Sequence, residues 1–236
     1  MAGVTVEAIN QVTRYLDLAG VFACAVLGGA IARTEGLDLF GFLVVGSVSG
    51  LGGGVLRDTL LQHGTPVALT DYAYLPTALA GALLAFVISI SESAWDKLFT
   101  ALDAAVIGFW AVTGAQKTLA AGLGWLPAIL LGTTTAVGGG ALRDVLLRRV
   151  PAVFGGNALY ATVAAAVAAT MVVCTYLGAP LIGIVVGVVG ALLFRVAAVK
   201  FGWNLPNGLN WQPHSRLAQA WRTRRRRRGP PGSEQR

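Results

Sequence analysis

The sequence predicts an all-α membrane protein of seven transmembrane helices, six forming two inverted three-helix repeats and the seventh added at the C-terminal end. Three observations carry this. Of 236 residues, 55% are hydrophobic and 12% charged, with a mean hydropathy of +0.67, whereas soluble chains are about 25% charged. Apolar runs of roughly 20 residues, enough to cross about 30 Å of hydrocarbon at about 1.5 Å per residue, recur along the chain. Finally, GLGGGVLRD (Gly50 to Asp58) returns as AVGGGALRD (Ala136 to Asp144), 86 positions later.

The expected spans are residues 15–34, 39–61, 72–91, 101–121, 125–147, 157–178 and 180–199. The first 14 residues carry Glu7 and Arg14 and lack a basic start before an apolar core. The first span is therefore expected to be retained, not cleaved as a signal peptide. Aligning Tyr15–Asp58 with Ala101–Asp144 needs no gap and gives 15 identities in 44 positions, among them Asp17/Asp103, Gly28/Gly114, Gly36/Gly122 and Gly46/Gly132. Glycine-rich composition alone would not keep Leu-Arg-Asp and Leu-Asp in register. The match weakens in the third and sixth spans, although Tyr74 and Tyr160 still stand 86 apart. Repeat 1 thus covers about 15–91, repeat 2 about 101–178, and 180–199 is left over. Because three is odd, the second repeat enters from the opposite side, and the halves are related by an axis in the membrane plane, the plan of many transporters and pores. A soluble bundle needs polar outer faces, and ATVAAAVAATMVVCTYLG from Ala161 has none.

Charge is concentrated at one end. Residues 1–199 hold 9 Lys+Arg and 10 Asp+Glu, whereas 200–236 hold 9 and 1. By the positive-inside rule, Arg33, Lys97, Arg143, Arg148, Arg149, Lys200 and the Arg-rich end face the cytoplasm. The expectation is a multi-pass protein of the cell (inner) membrane, N-terminus outside and C-terminus inside, with a transmembrane domain over 1–202 and a basic, largely disordered tail over 203–236. Lys200 to Asn210 reads as an interfacial belt of Trp and Phe. The tail either attracts anionic lipid, at about 1 kcal/mol per basic residue near the surface, or only anchors topology. No aromatic-basic platform accompanies its charges, so nucleic acid is not an expected partner.

Nothing argues for an enzyme or a cofactor. HExxH, Ser-His-Asp sets and metal-ligand spacings are absent from the sequence. GxGGG lacks the preceding strand and following Gly-Lys-Ser/Thr of a phosphate loop. His63 and His214 fall in loop and tail, and Cys24 and Cys174 stand alone as small buried residues. The candidates are intramembrane polar groups. Gly52, Gly53 and Gly54, with Gly138, Gly139 and Gly140, are expected to bend or break their helices. Backbone freed there survives in a membrane only against protein or water, which places a cavity beside it. Ser47 and Ser49 correspond to Thr133 and Thr135, with Thr134 between. Their hydroxyls are hard ligands for a partly dehydrated alkali cation, or else bond the carbonyls of the preceding turn. Arg57 and Asp58, like Arg143 and Asp144, are sequence neighbours that do not face each other on a helix. The expected ion pairs are therefore Arg57–Asp17 and Arg143–Asp103. Arg195 is expected to snorkel to the surface; Lys117 either does the same or sets a positive barrier in a cation pathway.

The doubled motif, here GGGVLRD and GGGALRD, resembles that of the prokaryotic branch of the trimeric intracellular cation (TRIC) channels, and the likeness covers roughly residues 10–202. The resemblance implies a homotrimer in which each protomer has its own pore between the repeats, with the second and fifth helices kinked at the glycines. It implies potassium permeation with some sodium, as cargo and not as cofactors. Carried over by position, Gly52, Gly53, Gly54, Gly138, Gly139 and Gly140 would be the kinks, and Arg57, Asp58, Arg143 and Asp144 the charged elements flanking the pore. Animal members carry a Lys-Glu-Val type motif at the second kink where this chain has Leu-Arg-Asp. The same duplicated unit occurs in bacterial proteins that look like carriers of a small solute such as glycine, which is the alternative function. A structural scaffold would not require the glycines.

Overall fold

In the computed structural model, residues 2–88, 92–154 and 159–203 are described. The chain divides into units 1–205 and 206–236; the tail beyond Trp203, with His214 and most of the expected interfacial belt, lies outside the described residues. The elements are α1 (Ala2–Thr34), α2 (Leu39–Leu61), α3 (Val67–Thr70), α4 (Tyr74–Val87), α5 (Glu92–Ala120), α6 (Trp125–Leu146), a 3-10 turn (Ala152–Phe154), α7 (Tyr160–Tyr176) and α8 (Pro180–Phe201).

The seven expected helices correspond to α1, α2 and α4 to α8. Helices α1 and α5 start well before the apolar runs, because hydropathy marks where lipid begins and not where helical hydrogen bonding does. The single turn α3, inside the expected loop, was not anticipated. Among the described residues, four stretches are long and apolar enough to cross a membrane: Thr13–Thr34, Leu39–Leu61, Trp125–Leu146 and Pro180–Phe201. With 14 and 17 residues, α4 and α7 reach about 21 and 26 Å at about 1.5 Å per residue.

Local chemistry sets the ends. Asp38 caps α2 by accepting the Gly41 N–H at 2.8 Å. Helices α1 and α5 end alike. Gly36 and Gly122 take left-handed φ of 66° and 81°, and the Leu37 and Leu123 N–H groups reach back to Ala32 and Thr118 carbonyls, satisfying acceptors that a helix end leaves open. Arg33 donates to the Ala85 and Phe86 carbonyls, both at 2.7 Å, doing the same for the C-terminal end of α4.

Helices α1, α2 and α4 pack together, and so do α5, α6 and α7; α2 meets α6 and α1 meets α5 across the divide, while α8 lies against α5 and α7. The interior is built of small residues: Ala25, Ala78, Ala82, Ala111, Ala115, Ala164 and Ala168 are wholly buried. Gly46 abuts Ala82 of α4 and the Ala25 carbonyl of α1, and Gly132 abuts Ala168 of α7 and the Ala111 carbonyl of α5, so each contact recurs 86 residues on. Large apolar side chains such as Leu130, Leu181, Val185 and Leu193 point outward, each more than 60% exposed. Small residues inside and bulky apolar ones outside are what lipid selects, since it offers no hydrophobic drive between helices and leaves close packing to hold them.

Candidate functional site

The glycine triplets meet each other. A Cβ on Gly53 would overlap the Thr135 carbonyl oxygen, and one on Gly139 would overlap that of Ser49. One on Gly52 would come 3.3 Å from Gly139 Cα, and one on Gly138 3.4 Å from Gly53 Cα. Backbone therefore touches backbone where α2 crosses α6. The triplets do not break their helices: α2 and α6 are hydrogen-bonded straight through them, and none of the six glycines takes a positive φ. A helical glycine costs only about 1 kcal/mol relative to alanine, which flanking Leu and Val absorb. The missing side chains give room for a partner helix instead of a break.

The hydroxyls follow the local reading. Thr133, Thr134 and Thr135 donate to the carbonyls of Ile129, Leu130 and Leu131 at 2.7, 2.9 and 2.6 Å. Ser49 and Thr135 are buried in the crossing, and Ser47 Oγ is buried with no hydrogen-bond partner. Lys117 is exposed in the last turn of α5 and lines neither cavity described below.

The ion pairs differ from expectation. Neither Arg57–Asp17 nor Arg143–Asp103 is among the salt bridges of the described residues. Arg57 Nε donates to Asp58 at 2.7 Å and Arg143 Nε to Asp144 at 2.8 Å. The second oxygen of Asp58 takes the Val67 N–H and that of Asp144 the Ala152 N–H, both at 3.0 Å. The chain returning after each helix thus turns the carboxylate, and the flexible arginine stem curls back to the residue beside it; the rule that neighbours do not face each other holds for short side chains on a free helix surface. Arg195 also departs from expectation. It is 5% exposed, 3.9 Å from Asp103, with its guanidinium over the Tyr160 ring at 5.1 Å. A counter-charge and an aromatic face inside the protein replace the surface it would otherwise seek.

The expected acidic partners have other company. Asp17 accepts from Tyr74 OH at 2.6 Å and Trp110 Nε1 at 2.9 Å, and Asp103 accepts from Tyr160 OH at 3.0 Å. The two tyrosines are visible in the sequence only as a repeat pair with no role attached, and Trp110, which has no identical partner 86 positions away, carries no signal in the internal alignment. Two cavities adjoin these groups. One, of about 290 Å³, is lined by Asp103, Arg143, Asp144, Arg149 and Tyr160; the other, of about 20 Å³, by Asp17, Arg57, Tyr74, Trp110 and Thr135. Both reach the triplets, at Gly140 and Gly54. At the surface, Arg149 pairs with Glu35. Arg14 grips Asp71, whose carboxyl that hydrogen bond holds down to about 2, so the clasp between α1 and the C-terminal end of α3 stays charged at ordinary pH.

A helical membrane protein with a doubled three-helix unit and charged cavities beside its central crossing is the class so defined. The family model described as "Glycine transporter" matches residues 14–89 and again 100–176. The chain belongs to this family, which corresponds to the TRIC-like family. Similar proteins include a UPF0126 membrane protein of Deinococcus radiodurans, 39% identical over 163 residues, 69% of this chain and 76% of that protein. The UPF0126 inner membrane protein YadS of Escherichia coli K12 is 32% identical over 195 residues, 81% of this chain and 94% of that one. Among solved structures, a TRIC cation channel aligns with TM-score 0.78 at 30% identity, covering 84% of this chain and 98% of the other. The TRIC trimeric intracellular cation channel orthologue from Rhodobacter sphaeroides aligns with TM-score 0.75 at 33% identity, covering 81% and 99%.

Proposed function

We propose that the protein is a potassium-permeable monovalent cation channel, a homotrimer with one path per protomer running between two inverted repeats. The carrying observation is the pair of repeat-related, charge-lined cavities that each reach one glycine triplet, at Gly54 and Gly140, beside the α2–α6 crossing. In a seven-span topology α2 and α6, the second and fifth spans, run in opposite directions, so cavities at their C-terminal halves open to opposite faces. The path passes the crossing between them, with Arg57, Asp58, Arg143 and Asp144 flanking it. The channel assignment of the matched TRIC structures supports cation permeation, and the trimeric description of the Rhodobacter sphaeroides orthologue supports the assembly.

Purified protein in planar bilayers is expected to give discrete current steps, with a reversal potential that follows the potassium gradient and not the chloride gradient. Glycine uptake into vesicles without such steps would overturn the channel reading in favour of a carrier.

The positive-inside distribution gives the orientation, N-terminus external and C-terminus cytoplasmic. A reporter fused after Arg236 is expected in the cytoplasm and one at Met1 outside. Both ends on one side would remove a span, and α8, which has no repeat counterpart, is the first to be questioned.

A further inference from the structure

We propose that the Trp110 indole is a plug that shuts the vestibule of the first repeat while the equivalent vestibule of the second stays open. The two cavities share a repeat-related set of lining residues: Asp17, Arg57 and Tyr74 in one stand 86 positions before Asp103, Arg143 and Tyr160 in the other. Their volumes are nevertheless about 20 and about 290 Å³. The smaller is about the space of one water molecule.

Trp110 is among the lining residues of the small cavity with no counterpart in the large one. It belongs to α5, in the second repeat, but its ring enters the cavity of the first. The indole lies over Gly20 of α1, where a Cβ would stand 3.2 Å from Nε1, and Trp110 itself is 4% exposed. The position matching Trp110 is Cys24, and the position matching Gly20 is Val106. One half therefore has a glycine beneath an indole, and the other has a thiol that does not line its cavity. The plug also occupies the carboxylate. One oxygen of Asp17 accepts from Trp110 and the other from Tyr74, so a cation arriving there meets an acid already satisfied by two fixed rings. The inference rests on the channel reading only for what the vestibules conduct.

Leu51 and Val137, an 86-spaced pair, line the small and large cavities, which allows a test that needs no current. In a background with Cys24→Ala and Cys174→Ala, Leu51→Cys and Val137→Cys are exposed in liposomes to a trimethylammonium methanethiosulfonate present on both faces. Thiol reactivity follows access, so Val137→Cys is expected to react about tenfold faster than Leu51→Cys. Adding Trp110→Ala is expected to speed Leu51→Cys by about tenfold and leave Val137→Cys unchanged, whereas Trp110→Phe, which keeps a ring and loses the N–H, leaves Leu51→Cys slow. Three results overturn the plug: an unchanged Leu51→Cys rate with Trp110→Ala, both cysteines accelerating together as general loosening would make them, or Phe behaving as Ala does. Potassium flux measured in the same liposomes separates the two readings, because the expected labelling pattern without flux in any variant removes the channel assignment and supports the plug.

Discussion

Replacing Gly53 or Gly139 by alanine is expected to destabilise the protein by about 2 kcal/mol or more, although alanine is the better helix former. The added methyl meets the Thr135 or Ser49 carbonyl oxygen, and these belong to helical backbone that cannot rotate away as the end of a side chain can. Overpacking of this kind costs about 1–3 kcal/mol where side chains can shift, and here α2 and α6 must separate as whole helices. The propensity gain of about 0.5–1 kcal/mol offsets only part of that. Gly54 and Gly140 are internal controls. A Cβ there meets only the arginine of its own helix, Arg57 or Arg143, at 3.7 Å, so alanine is expected to be neutral or slightly stabilising. Thermal unfolding in detergent should show the central variants lowered by about 4–8 °C and the outer ones unmoved. Equal losses at all four positions would mean that the crossing is not where the glycines act.

That contrast shows what could and could not be read beforehand. The 86-residue match made the helices, their grouping and the pairing of Asp17 with Asp103 and Tyr74 with Tyr160 visible from residues alone. The ends of α2 and α6 fell within a residue of expectation because Asp38, Gly122 and Gly124 punctuate the chain there. The purpose of the glycines was not legible, since a helix that bends and a helix that receives a neighbour both require an absent side chain. Nor were the partners of Arg57 and Arg143. Asp58 and Asp144 are turned by the Val67 and Ala152 N–H groups, which arrive from connecting segments whose path no periodicity predicts. Trp110 escaped because an internal alignment rewards identity, and this position matters through its difference from Cys24.

Asp58→Asn is expected to be the most damaging of the charge substitutions, at about 3–5 kcal/mol. The Arg57 side chain is 2% exposed, and the cavity beside it holds about one water, so loss of the Asp58 charge leaves a guanidinium that neither solvent nor Asp17, whose oxygens Tyr74 and Trp110 occupy, can compensate. Asp144→Asn breaks the equivalent pair under different conditions. Arg143 is 11% exposed and lines the cavity of about 290 Å³, where water can hydrate it, so the expected loss is smaller, about 1–3 kcal/mol. The double variant Arg57→Met, Asp58→Asn removes both charges and is expected to recover much of the stability lost by Asp58→Asn, because a buried pair contributes little net and an unpaired buried charge destabilises strongly. Unfolding free energies of the two single carboxylate variants and the double variant in detergent decide it. Equal losses for Asp58→Asn and Asp144→Asn would show that the difference in hydration between the two vestibules has no energetic weight. A double variant no more stable than Asp58→Asn would show that the loss does not come from an unpaired Arg57 charge.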